Sequence, residues 1–216
     1  MKSKGLFDVI SPIMVGPSSS HTAGAIRLGL MARTIYNAPI KKVHFTLYNS
    51  FAQTGKGHGT DKGLLAGIMG CHVDDVRTKN IFAITGIDYE YSFAEDLSRH
   101  PNSVDIKIND DMTISGCSIG AGEIRITEIN GFSVNLAGQY HTILLMYKDK
   151  PGMISTVSKF IQDRNINIAS LHCDRNEKGG VASMYLALDA EPQEEIVDDI
   201  KNISDVYFVT KVRKLD

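Results

Sequence analysis

Apolar residues recur along the first half of the chain in two rhythms. Over residues 22–36 they fall at helical spacing: Ala23, Ile26 and Leu30 share one face, with Leu28, Met31 and Ile35 beside it. The hydroxyl-rich Ser18, Ser19 and Ser20 precede this run and suit a helix N-cap, where a side-chain oxygen accepts from an unpaired backbone N–H. Pro39 closes the element, and residues 43–48 alternate as a strand does. The glycine-rich stretch 53–59 reads as a loop, and Thr60 with Asp61 as the cap of a second helix reaching Met69. Segments 73–76 and 81–84 carry weaker signals. Residues 104–108, 112–115, 123–129 and 132–135 read as successive strands of a meander. Helices first and strands later predict an α+β domain, an α/β-sandwich-like layering.

After Gly138 the pattern changes. Residues 141–147 are β-rich and end in the turn Asp149, Lys150, Pro151, Gly152. Ile154, Val157, Phe160 and Ile161 then recur at helical spacing. Strands are expected over 165–172 and 181–188, joined by the turn at 176–180. Ile196, Val197, Ile200 and Ile203 mark one face of a further helix, and 206–212 is a last strand. The order β-α-β-β-α-β is the split βαβ of ferredoxin-like folds. The expected domains are therefore 1–138 and 139–216.

Composition narrows the possibilities. Among 216 residues, 43% are hydrophobic and 22% charged, enough apolar material for packed cores and too much for a disordered chain. Lys plus Arg is 23 and Asp plus Glu 25, so the formal charge is 23 − 25 = −2. With no Lys/Arg cluster, a nucleic acid or an anionic membrane is not an expected partner. The longest apolar runs fall far short of the roughly 18 residues that cross a bilayer. Residues 1–11 lack the apolar core of a signal peptide, so a cytoplasmic protein is expected. Cys71, Cys117 and Cys173 are too few and too far apart for a disulfide scaffold or a local metal site.

Two segments could carry chemistry. In Gly16-Pro17-Ser18-Ser19-Ser20-His21-Thr22, hydroxyls and backbone N–H groups converge where a helix begins and its dipole favours negative charge. The place suits a carboxylate, with His21 able to exchange a proton near neutral pH, or it is simply a well-capped helix start. In Gly55-Lys56-Gly57-His58-Gly59-Thr60-Asp61, glycines allow a ligand close to the backbone and His58 lies just before a helix. This is not a phosphate-binding P-loop, since the required spacing is absent; an ordinary glycine-rich turn is the other reading. The acidic Glu194, Glu195, Asp198 and Asp199 read as a solvated helix face. Tyr89-Glu90-Tyr91 has no recognisable partner.

The segments 16–24 (GPSSSHTAG), 47–61 (LYNSFAQTGKGHGTD), 100–102 (HPN) and 127–132 (TEINGF) together resemble the β chains of iron–sulfur-dependent L-serine dehydratases. The stretch from His141 resembles an ACT domain, a small regulatory module of amino-acid enzymes. The resemblance implies a lyase subunit, inactive alone, that deaminates L-serine to pyruvate and ammonia without pyridoxal phosphate. It implies a four-iron four-sulfur cluster held by a separate α chain, with no metal ligand in this chain. An open iron would act as Lewis acid on the serine hydroxyl while a base takes the α-proton. Ser18, Ser19, Ser20 and Thr22 would hold the carboxylate; His21 and His58 would transfer protons, with His21 favoured as base. Asn49, Gly57, Thr60 and Asp61 would also line the substrate site, Asn49 standing where the family has glycine. In the ACT module, Tyr147, Asp149, Gly152, Met153 and Asn167 would bind an effector, expected to be L-serine, and the modules would pair. A related N-terminal fold serves as a non-catalytic module in some 3-phosphoglycerate dehydrogenases, so a regulatory serine sensor is the alternative.

Overall fold

Strand β1 (Lys42–Tyr48) buries every second side chain, Val43, Phe45 and Leu47, as a strand packed on one face must. It lies inside the larger of two sheets in the computed structural model, which describes residues 14–215. The reading of residues 1–11, and Pro12, lie outside the described residues. Strands β2 (Asp88–Ala94), β3 (Ser103–Ile108), β4 (Met112–Gly120), β5 (Glu123–Ile129) and β6 (Phe132–Leu136) complete this sheet, in the order β2-β1-β3-β4-β5-β6. The meander expected from the alternation is present as β3 to β6. Only β2 is new: it runs parallel to β1 with Tyr89 opposite Val43 and Tyr91 opposite Phe45, which gives Tyr89-Glu90-Tyr91 its partner. None of its residues is fully buried and Phe93 is exposed, so no clean apolar alternation marked it.

Helices α1 (Gly24–Tyr36) and α3 (Thr60–Ile68) pack closely on one another, and α1 also packs on β4. One turn of π-helix (Ser19–Ala23) precedes α1, so the helical backbone begins three residues before the expected start. The largest difference lies between β1 and α3. Residues 49–58, read partly as a loop, form helix α2 (Asn49–His58). Its glycines lower helix propensity, but burial of Phe51 and of Gly55 against Leu47 and Thr60 overrides that local cost. Gly59, left-handed at φ 74°, ends α2 and also stands at the N-cap of α3. Thr60 therefore does not cap; it is the first helical residue, fully buried. Segment 76–80 is a 3₁₀ turn and α4 (Ile81–Ile84) a single short helix.

The second half folds as β7 (His141–Lys148), α5 (Met153–Asp163), β8 (Ile168–Arg175), β9 (Val181–Leu188), α6 (Glu194–Lys201) and β10 (Val206–Val212). The antiparallel order β10-β7-β9-β8 is the expected ferredoxin-like arrangement. Its core joins Ile143 and Leu145 of β7, Val157 and Ile161 of α5, Met184 and Leu186 of β9, and Ile196 and Ile200 of α6. On α5 the inward residue is Met153, not Ile154, which is 50% exposed. Strand β8 starts three residues later than expected because Asn165 adopts a left-handed turn conformation. Two compact units result. Among the described residues, one takes in 14–131 with Asn135–Ala137, the other Phe132–Val134 with 138–215. No helix among the described residues is long and apolar enough to cross a membrane.

Candidate active site

Ser18 sits in extended conformation ahead of the π turn, and its Oγ accepts from the His21 backbone N–H at 3.2 Å, as the N-cap reading requires. Gly16 is needed just upstream: its φ is +131°, and a Cβ there would fall 2.4 Å from the Thr22 methyl. Thr22 is buried, and its hydroxyl donates to the His58 carbonyl at 2.8 Å. That bond ties the two glycine turns together across 36 residues. Gly16, Pro17 and Thr22 from one turn face Lys56, Gly57 and Lys62 from the other across a cleft of about 260 Å³.

His21 stands beside this junction. Its Nδ1 lies 3.2 Å from Ser20 Oγ, and its Nε2 lies 3.0 Å from Thr54 Oγ1 and 3.3 Å from Ser50 Oγ. Phe51, fully buried, meets the ring edge-on at 5.3 Å, and the His58 ring lies 5.1 Å away. Phe51 is in turn held by a bond from its N–H to the Pro101 carbonyl, so the H-P-N segment supports the site from behind. Burial, and then repulsion from His58, hold the His21 imidazole below its ordinary pKa. Both effects favour the uncharged ring. His58 is exposed at the end of α2, with Nδ1 3.2 Å from the Thr54 carbonyl.

The remaining nominated residues divide. Ser20 and Ser18 are in mutual contact at 3.4 Å, and Ser19 begins the π turn. Gly57 opens onto the cleft with nothing within 4 Å of where a Cβ would stand. Asp61 is half-buried, its carboxyl raised by desolvation, and its Oδ1 accepts from the Lys62 N–H. The Thr60 hydroxyl has no partner among the described residues. Asn49 turns away: its amide donates to the Asp96 carbonyl at 2.8 Å and accepts from the Asp96 N–H at 2.9 Å. Its φ of 52° is the left-handed conformation that glycine adopts freely, so asparagine fills this turn as a brace for the segment after β2. Ser50 and Thr54 escaped the sequence reading. They and His58 lie four residues apart in succession, one face of a helix, a signal hidden while 53–59 read as a loop.

In the second unit, Tyr147, Asp149, Gly152 and Met153 border one cavity of about 710 Å³. Asp149 is fastened there by Arg175 and the Gly179 N–H, each at 3.0 Å, which hold its carboxyl below the usual range. Burial raises the Tyr147 phenol. Asn167 is not with them. It donates to Asp189 at 2.7 Å and lines a separate hollow with Ser158 and Gln162.

The serine dehydratase beta chain family model matches residues 5–88, and a model of the AHAS small subunit-like ACT domain matches residues 143–208. The chain is 37% identical to the probable L-serine dehydratase beta chain of Bacillus subtilis, over 98% of this chain and 99% of that one. It is also 37% identical to the L-serine dehydratase beta chain of Peptoniphilus asaccharolyticus, over 94% and 95%. A D-3-phosphoglycerate dehydrogenase of Bacillus subtilis is 27% identical over 85% of this chain but only 36% of its own length. The similarity to the two beta chains runs end to end and takes in both glycine turns and the ACT module. The chain belongs to the family of L-serine dehydratase beta chains.

Proposed function

We propose that this chain supplies the proton-transfer and substrate-positioning half of a cytoplasmic L-serine ammonia-lyase site that an α chain completes. The observation that carries the reading is the convergence of both family turns on Thr54, which touches His21 through its hydroxyl and His58 through its carbonyl. Serine loses its α-proton and its β-hydroxyl, leaves as water and an enamine, and the enamine hydrolyses to pyruvate and ammonia. A base must take the first proton. A carbonyl can only accept, so the His58 Nδ1 carries the hydrogen in that contact, and Nε2 is the ring nitrogen left to take a proton. His58, not the His21 favoured on sequence, is thus the better-presented base. The substrate carboxylate suits the start of the π turn, since the first N–H groups of a helix lack intrahelical acceptors and sit at its positive end.

The described residues do not offer the ligands of a four-iron cluster. Among the described residues no group of three or more His, Cys, Asp or Glu side chains could hold a metal ion. Cys71 and Cys117 are buried, and Cys173 lies in the other unit. Its ligands are assigned to the α chain. The purified chain should therefore form no pyruvate from L-serine, and should do so once its α chain is added. Pyruvate from this polypeptide alone, or none from the assembled pair, would overturn the reading.

The ACT unit is proposed to self-associate and bind L-serine between copies. Strand β8 is an edge strand with mostly exposed side chains, an arrangement that pairing covers. Since Asn167 lies apart from the Asp149 cavity within one chain, it would serve the cavity of a second copy. Calorimetric titration of the full chain with L-serine should give binding heat that Asn167→Ala abolishes. Equal affinity in the variant would remove Asn167 from the site.

A further inference from the structure

The hydroxyl of Thr54 is engaged twice, 2.8 Å from the Ser50 carbonyl oxygen and 3.0 Å from His21 Nε2. A threonine hydroxyl owns one proton, and a carbonyl oxygen can only accept. The proton therefore goes to Ser50, and the contact with His21 is satisfied only if Nε2–H donates to Thr54. Ser50 Oγ, 3.3 Å from the same nitrogen, is a second acceptor for that hydrogen. A neutral ring protonated at Nε2 carries its lone pair on Nδ1, so the 3.2 Å contact there runs from the Ser20 hydroxyl to His21. With the Ser20 proton committed, the 3.4 Å contact between the two serines runs from Ser18 to Ser20. Ser18 Oγ meanwhile accepts from the His21 N–H. Every hydrogen in the series then points one way, from Ser18 through Ser20, His21 and Thr54 to the Ser50 carbonyl.

We propose that Thr54 is a positioning residue that holds His21 in its Nε2–H tautomer and, through His21, turns the Ser20 and Ser18 hydroxyls so that they offer lone pairs only. The proposal deepens the serine dehydratase reading and takes its substrate from it. It also changes which substrate group those hydroxyls suit. Oxygens whose protons are already donated cannot bind a carboxylate, but they can accept from a protonated amine. The serine hydroxyls thus receive the α-ammonium group of the amino acid, and the carboxylate is left to backbone N–H groups.

The test is the tautomer itself. In the full chain labelled with ¹⁵N-histidine, two-bond proton–nitrogen correlations distinguish a protonated ring nitrogen from a bare one. His21 should show a protonated Nε2 and a bare Nδ1. Thr54→Val, which keeps the shape and removes the hydroxyl, should convert it to a mixture of tautomers, and Thr54→Ser should restore the single form. A wild-type His21 protonated at Nδ1, or an unchanged tautomer in Thr54→Val, would overturn the proposal. The wild-type spectrum alone decides the first point, so a poorly folding variant leaves the test intact. In the complex with the α chain, Thr54→Val should lower kcat toward L-serine by about 10–100-fold, since small misplacements of catalytic groups act on this scale. Thr54→Ser should recover most of it; equal losses in both variants would mean a steric role and sink the idea. The tautomer is read without substrate or α chain, so it stands or falls separately from the assigned reaction.

Discussion

Replacing His58 with alanine in the assembled dehydratase should lower kcat by about 10²–10⁴-fold, the usual contribution of a positioned general base. Three features converge on this residue. Its Nδ1–H is spent on the Thr54 carbonyl, so Nε2 is the ring nitrogen left to take a proton. It is exposed at the end of α2, within reach of a ligand, and its own carbonyl is pinned by Thr22. His21, by contrast, has hydroxyls on both ring nitrogens and no edge left over for a substrate proton. His21→Ala should therefore cost less than His58→Ala, through lost orientation of Ser20. Because the His58 ring is exposed, its removal should leave the thermal melt of the chain unchanged, which separates loss of chemistry from loss of fold. KM for L-serine should move little, since a base that acts in the transition state adds little to ground-state binding. A kcat within threefold of wild type for His58→Ala would return proton removal to another group.

How much of this was legible beforehand follows from which forces are local. The alternation at 43–48 and the helical spacing at 22–36 reflect burial of one face, and both elements are present there, the helix preceded by a π turn from Ser19. The ACT unit, whose two helices each bury a narrow apolar stripe, was equally plain. Residues 53–59 misled because Gly55 answers to a tertiary contact, not to local propensity. Gly55 leaves room for Leu47 and Thr60, and the helix it weakens is rescued by Phe51 in the core. Reading a loop there concealed Ser50 and Thr54, which only a helix brings onto the face of His58. Asn49 shows the converse limit. Its motif position was evident, yet its amide is spent on Asp96, a residue 47 positions away that no local pattern links to it. Asn167 likewise matched a family position, but its neighbours within one chain are Asp189 and the end of α5, away from the Asp149 cavity.

Gly67→Ala should destabilise the first unit by about 3 kcal/mol or more, at the upper end of what overpacking a tight interior costs. A Cβ on Gly67 would stand 2.1 Å from the Ile26 carbonyl oxygen, 2.6 Å from the Leu30 nitrogen and 2.8 Å from the Gly29 Cα. From the other side, a Cβ on Gly29 would meet the Leu64 carbonyl oxygen at 2.3 Å. All of these are backbone atoms, so no side chain can swing aside, and α1 and α3 must part. Alanine's better helix propensity offsets only about 1 kcal/mol of this. The melting temperature should fall by roughly 10 °C, given a few degrees per kcal/mol for a unit of this size. Gly57→Ala is the matched control. It lies within α2, no atom stands within 4 Å of the added carbon, and the same propensity gain should leave stability unchanged or raise it slightly. The contrast also bears on the site. The π turn leading into α1 carries the Ser18-to-His21 array, and the start of α3 follows directly on His58 and Gly59. Parting the helices would draw Thr22 from the His58 carbonyl, so Gly67→Ala should lose activity at temperatures where it is still folded. A Gly67→Ala melt within a degree or two of wild type would show that α1 and α3 do not need this close an approach.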